Sequence, residues 1–112
     1  MRLKVREYLT SDGRSPFADW LRALDVATRA RIQARVLRFE GCNLGDHKSV
    51  GGGVLEARVN FGPGYRVYFA LEGSVAVLLL VGGDKSSQQR DIRNAQSYWD
   101  DYRKAKAHGT TK

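Results

Sequence analysis

The sequence is short of cysteine and of long apolar runs, and each shortage removes a class of protein. Cys42 stands alone among 112 residues, so neither an intrachain disulfide nor a cysteine-based metal site can be built. No apolar stretch approaches the roughly 18 consecutive residues that mark a membrane span. The opening MRLKVREYL carries basic residues but no uninterrupted apolar segment, so it does not read as a secretory signal. The expected location is the cytoplasm, with no membrane association. Also missing are a metal-ligand cluster, a serine nucleophile elbow and a phosphate-binding P-loop, and no metal or cofactor is expected. Acidic residues are in deficit: 12 Asp and Glu against 19 Lys and Arg give a net charge of +7 at pH 7. An excess of this sign steers and binds polyanions, nucleic acid above all. It does not sit in a tail, because ten of the basic residues fall in 1–53 and nine in 54–112.

The composition is that of a folded chain, with 42% hydrophobic and 28% charged residues, and its length suits one domain, read as 1–107. The strongest pattern is a strand meander: VLEARVN, YRVYFALE and VAVLLLV are separated by FGPG and GS turns. A period of two puts Tyr65, Val67 and Phe69 on one face of the middle run and Arg66, Tyr68 and Glu72 on the other. The third run is apolar on both faces and is expected centrally, ended by Gly82 and Gly83 and covered by a helix. Ahead of the meander lie a short strand at Leu3, Val5 and Tyr8 and two helices. The first is capped by Ser15 with Pro16 at its first position; the second is capped by Asp25 and closed by Gly41. GCNLGDHKSVGGG, residues 41–53, reads as a loop. Ser86 and Gln89 fit a capping box that opens a third helix with the stripe Ile92, Ala95, Trp99, Tyr102, and 108–112 is expected to be frayed. The expected fold is α+β: a four-stranded, mostly antiparallel twisted sheet with two N-terminal helices and one C-terminal helix.

The chemistry-bearing residues are mostly basic. Arg31, Arg35 and Arg38 recur along the second helix, about 100° from its apolar stripe, and form a ridge suited either to solvent or to phosphates. His47 in the loop is a candidate proton carrier, and Lys48 beside it a phosphate ligand. Arg58 and Arg66 point to one sheet face by alternation. Glu56 is expected to neutralise Arg58 where Arg58 is merely structural. Tyr68 is expected outward beside Arg66, able to stack on a base or donate a proton. Lys85 and Arg90 follow the central strand. A basic, aromatic-bearing sheet face without metal ligands suits RNA cleavage by the RNA's own 2′-OH. In that reaction the protein holds the phosphate in line, neutralises transition-state charge and moves protons.

The segments VLEARV (54–59), GPGYRVYF (62–69) and GGDKSSQQRDI (82–92) resemble the phage-derived HigB-type addiction-module killer proteins of the RelE/ParE superfamily of toxin–antitoxin toxins. The resemblance runs from Val5 to about Tyr102. It implies a RelE-like fold and a type II toxin that cleaves mRNA on the ribosome. Its partner would be a cognate antitoxin, a small helix-turn-helix DNA-binding protein encoded next door. It further implies that Arg66 contacts the scissile phosphate and that Lys85 binds phosphate or transfers a proton. Some relatives carry a catalytic tyrosine six residues after the Lys85 position, and Asp91 stands there instead. The general acid and base are therefore open among Asp91, His47, Lys85 and Tyr68. The same superfamily allows a ParE-like gyrase poison without catalysis, or an inactive antitoxin-binding member. The mechanism requires Arg66 and Lys85 to meet at one anionic pocket on the uncovered side of the sheet, and an outward Arg66 predicts little stability loss on truncation.

Overall fold

The computed structural model describes residues 2–109. In chain order the elements are β1 (Lys4–Glu7), α1 (Pro16–Arg22), α2 (Val26–Leu37), a 3-10 turn (Arg38–Gly41), β2 (His47–Ser49), β3 (Leu55–Val59), β4 (Tyr65–Glu72), β5 (Ala76–Asp84), a second 3-10 turn (Lys85–Ser87) and α3 (Gln88–Gly109). The architecture is α+β: one mixed sheet of five strands in the order β1-β5-β4-β3-β2, with three helices. β1 runs parallel to β5 and the other neighbours are antiparallel.

The expected count of four strands is corrected by β2, which forms inside the glycine-rich stretch. Three residues suffice because β3 supplies the ladder: His47 pairs with Ala57, Lys48 with Glu56 and Ser49 with Leu55. So short a strand has no hydrophobic period to announce it. The helix starts follow the sequence reading. Ser15 Oγ accepts from Ala18 N at 3.1 Å and Asp25 accepts from Thr28 N at 3.2 Å, so each caps an otherwise orphaned amide. Two details differ. The left-handed residue that ends the α2 segment is Cys42, at φ 64°, rather than Gly41. Ser86 does not cap the third helix: Asp84 accepts from Ser86 N at 2.8 Å and caps the 3-10 turn Lys85–Ser87 that leads into α3.

β5 lies between β1 and β4 and is buried over nearly its whole length, with α1 on one face and α3 on the other. On the α1/α2 face Phe17, Ile32, Phe39, Val67, Phe69 and Leu79 make one core; on the α3 face Tyr68, Leu78, Leu80, Ala95 and Trp99 make the second. A register shift after Tyr68 sets Leu80 as an extra residue in β5, since Tyr68 pairs with Val81 and Phe69 with Leu79. That bulge resets the alternation of β5. Beyond it Gly83, opposite Arg66, faces α3, and Gly82 faces Trp20. β5 thus continues through both glycines to Asp84 instead of stopping at them. α3 runs to Gly109, two residues into the stretch expected to be frayed. Residues 110–112 of that stretch lie outside the described residues. No helix among the described residues is long and apolar enough to cross a membrane.

Candidate anion-binding site

Two adjacent rows of side chains cross one end of the α3 face. The ladder sets Lys48, Glu56 and Tyr68 side by side on β2, β3 and β4, and in the next row Arg58 directly opposite Arg66, with Gly83 beyond. Like charges directly opposite repel, so the second row needs a compensating anion. Glu56 supplies it.

Glu56 is fully buried, at 0% exposure, where an unpartnered carboxylate would be very costly. Its Oε2 accepts hydrogen bonds from Tyr68 Oη at 3.0 Å and Gln88 Nε2 at 2.9 Å. Arg66 Nε lies 3.6 Å from the same oxygen, while Lys48 Nζ and Arg58 Nε each lie 4.0 Å from Oε1. Neither Oε1 nor Arg66 Nε has a hydrogen-bond partner among the described residues. The three cations are therefore gathered by charge at Coulomb range, not locked in bidentate pairs, and their remaining N–H groups stay available. One carboxylate among three cations leaves the cluster net positive.

Arg66 is accordingly not an outward side chain. It is 12% exposed, held over Glu56, with Nη1 reaching the Gly64 carbonyl at 3.4 Å. Its open side meets Lys85 across a pocket of about 370 Å³ also lined by Asn60, Phe61 and the Gly62-Pro63-Gly64 turn. Arg66 and Lys85 do line one pocket, but not on an uncovered side of the sheet: helices pack on both faces, and the pocket is on the face that α3 covers. It lies beyond the N-terminal end of α3, which covers the rest of this face. Lys85 is exposed and makes no ion pair among the described residues. Arg90 is also exposed and borders the neighbouring hollow with Lys85, Gln89 and Arg93.

The other acid–base candidates are placed differently. Tyr68 shares the face of Arg66 but is fully buried, because α3 closes over it. Burial, and then the charge and hydrogen bond of Glu56, push its phenol well above the ordinary tyrosine value. It can neither stack on a base nor release its proton readily. Asp91 is also buried and sits against the backbone of Gly83, where a Cβ would come within 1.8 Å of its Oδ2. Ser87 Oγ donates to that oxygen, and Arg90 Nε stands 3.7 Å from Oδ1. Asp91 is thus a strut between β5 and the first turn of α3, where the helix dipole favours a negative charge. His47 pairs with Ala57, so alternation turns it away from Lys48 and the Glu56 cluster, and its Nδ1 bonds the Gly45 carbonyl at 2.8 Å. On α2 the expected ridge divides: Arg31 and Arg38 are exposed, while Arg35 is buried and donates to the carbonyls of Arg58 (3.3 Å) and Asp46 (3.0 Å).

Sequence reasoning treated Glu56 as a minor neutralising group and passed over Gln88. A glutamate two positions from one strand arginine and diagonal to another was the available signal. Lys48 had no readable place in the cluster until β2 existed. The arrangement suits an anion: the guanidinium of Arg66, kept in position by a buried carboxylate, and the exposed ammonium of Lys85 line one shallow pocket.

No family model matches the chain. It is 41% identical over 97 residues to a Haemophilus influenzae protein described only as uncharacterized, an alignment that covers 86% of this chain and 92% of that protein. With that identity over nearly the full length of both, the chain belongs to the same protein family as the Haemophilus influenzae protein.

Proposed function

We propose that the protein is a metal-independent endoribonuclease: a RelE-like, HigB-type toxin that cuts mRNA on the ribosome and is silenced by a cognate antitoxin, a small helix-turn-helix DNA-binding protein. The observation that carries this reading is the pocket where Arg66, fixed by buried Glu56, faces the unpaired ammonium of Lys85. A phosphodiester seated there has its charge neutralised from two directions, and the arginine fork remains charged through any relevant pH. The RNA's 2′-oxygen then bonds to phosphorus and the bond to O5′ breaks, giving a 2′,3′-cyclic phosphate and a 5′-hydroxyl. The 2′-OH proton passes to solvent water, and O5′ takes a proton from Lys85, the exposed ammonium at the pocket. Transition-state charge stabilisation is the larger contribution asked of the protein.

Burial of Tyr68 and Asp91 favours a second reading, binding without chemistry, as in a ParE-like gyrase poison, because it leaves Lys85 with little acid–base help. Inducing the protein in cells while mapping mRNA 5′ ends and DNA breaks separates the two. Codon-phased mRNA cuts without DNA damage are expected. DNA breaks with intact mRNA would replace the nuclease by the gyrase reading, and no growth arrest at all would leave an inactive antitoxin binder.

A further inference from the structure

Between α2 and β3 runs a second hollow of about 340 Å³, lined by Arg31, Arg35, Arg38 and Arg58 with Asp46 as its one acidic residue. It adjoins the Arg66–Lys85 pocket, since Asn60 and Phe61 line both. We propose that this groove is a second phosphate subsite, in which Arg31 and Arg38 hold a phosphodiester of the same RNA strand whose scissile phosphate lies between Arg66 and Lys85. The inference rests on the RNA reading and extends it by fixing the path of the strand across the β3–β4 turn.

Three observations support it. First, Arg35 is 8% exposed and has no carboxylate hydrogen-bonded to it: its guanidinium donates only to two carbonyls, and Nη1 has no partner among the described residues. Gly45 lies directly on it, where a Cβ would stand 2.7 Å from Nη2. A buried cation left this far uncompensated keeps a strong positive field at the groove floor. Burial accordingly lowers the Arg35 pKa, followed by the nearby charge of Arg38, with Asp46 opposing. Second, Arg31 is held over the Phe61 ring at 4.5 Å, a contact that orients the guanidinium without using its N–H donors. Third, most arginines elsewhere are matched to acids, as in Arg2–Glu40, Arg14–Asp19 and Arg103–Asp100, with Arg29 and Arg93 the exceptions among the described residues. Arg31 and Arg38 make no ion pair among the described residues.

The test is fluorescence anisotropy with single-stranded oligoribonucleotides, 2′-O-methylated to block cleavage: a dinucleotide with one bridging phosphate, and an octanucleotide. The variant Arg31→Ala/Arg38→Ala is expected to weaken the octanucleotide about tenfold or more at low salt and to leave the dinucleotide unchanged. Lys85→Ala is expected to weaken both. Arg103→Ala/Lys104→Ala removes two charges that are paired with Asp100 at the other end of α3 and is expected to weaken neither. If the α2 double variant binds the octanucleotide as wild type does while Lys85→Ala weakens it, the groove is empty and the RNA reading survives. An equal loss in the Asp100-paired variant would reduce the effect to net charge and overturn the subsite. Absence of binding by the wild-type protein would overturn the subsite and the RNA reading together.

Discussion

Arg66 and Lys85 face one pocket, yet truncating them should have unequal effects on the folded chain. Removing Arg66 takes away the nearest cation from a carboxylate with no exposure, leaving Glu56 to Tyr68, Gln88 and two cations at 4.0 Å. Loss of one partner from a buried pair costs the desolvation of the group left behind. Arg66→Ala should therefore lower stability by about 1–3 kcal/mol in addition to abolishing arrest, measured as the urea midpoint at constant m. A midpoint within experimental error of wild type would mean that the pair at 3.6 Å holds nothing. Lys85→Ala, at an exposed and unpaired site, should keep stability within about 0.5 kcal/mol while mRNA cleavage falls. Most of this site was readable in the sequence, because GYR and GGDK place both cations at matching ends of paired strands. What was not readable is the depth of each side chain. Alternation gives the face of Arg66, Tyr68 and Glu56, but only the reach of α3 decides that Tyr68 and Glu56 are sealed and Arg66 keeps a small exposed edge.

At the scale of elements, the junction of β5 and α3 sets where the pocket opens, and it depends on a bulge that no period reveals. With Leu80 inserted, Gly83 and not Gly82 turns towards α3, and Asp91 rests on it. Gly83→Ala should cost about 1–3 kcal/mol through overpacking against the Asp91 carboxylate. Adding Asp91→Ala should restore part of that loss; a double variant as unstable as the sum of the singles would show the two sites to be uncoupled. The same junction gives a pH dependence. Ser86 donates to Asp84 from its hydroxyl at 2.6 Å and its amide at 2.8 Å, and Thr28 does likewise for Asp25 at the start of α2. These hydrogen bonds hold both carboxyls below the usual carboxylate range. In the unfolded chain they titrate near pH 4, so the unfolded state takes up protons first. Their contribution is complete above roughly pH 5 and is lost as pH falls through the lower folded values. Urea midpoints between pH 6 and pH 3 should decline, and Asp84→Asn, which keeps an acceptor but no charge, should flatten the decline. The caps Ser15, Pro16 and Asp25 were legible because capping is local chemistry. β2 was not, because a three-residue strand is defined by its neighbour.

Across the whole molecule, the net charge of +7 is spread evenly along the sequence but unevenly over the fold. The cations in and just before α1 and those of the C-terminal half of α3 are spent on acids: Arg14 and Arg22 on Asp19, Arg103 and Lys104 on Asp100, Lys106 on Glu72. Of those without an ion pair among the described residues, Arg31, Arg35, Arg38, Lys85 and Arg93 line the adjoining hollows that run from α2 past the β3–β4 turn to the first turns of α3, while Lys4 on β1 and Arg29 on α2 stand apart from them. Composition shows the excess; only tertiary pairing shows where it remains. For a single-stranded polyanion, each phosphate neutralised steepens the dependence of log K on log salt by about 0.7. Removing an unpaired cation should therefore make the slope for single-stranded RNA shallower by about that amount, whereas removing a cation whose charge is already met by an acid should lower the affinity little and leave the slope alone. Titrations of Lys85→Ala and Arg103→Ala between 50 and 300 mM salt read this directly. Equal slopes for the two variants would place the binding in the net charge of the molecule, and the row of hollows would lose its claim to be the path of the strand.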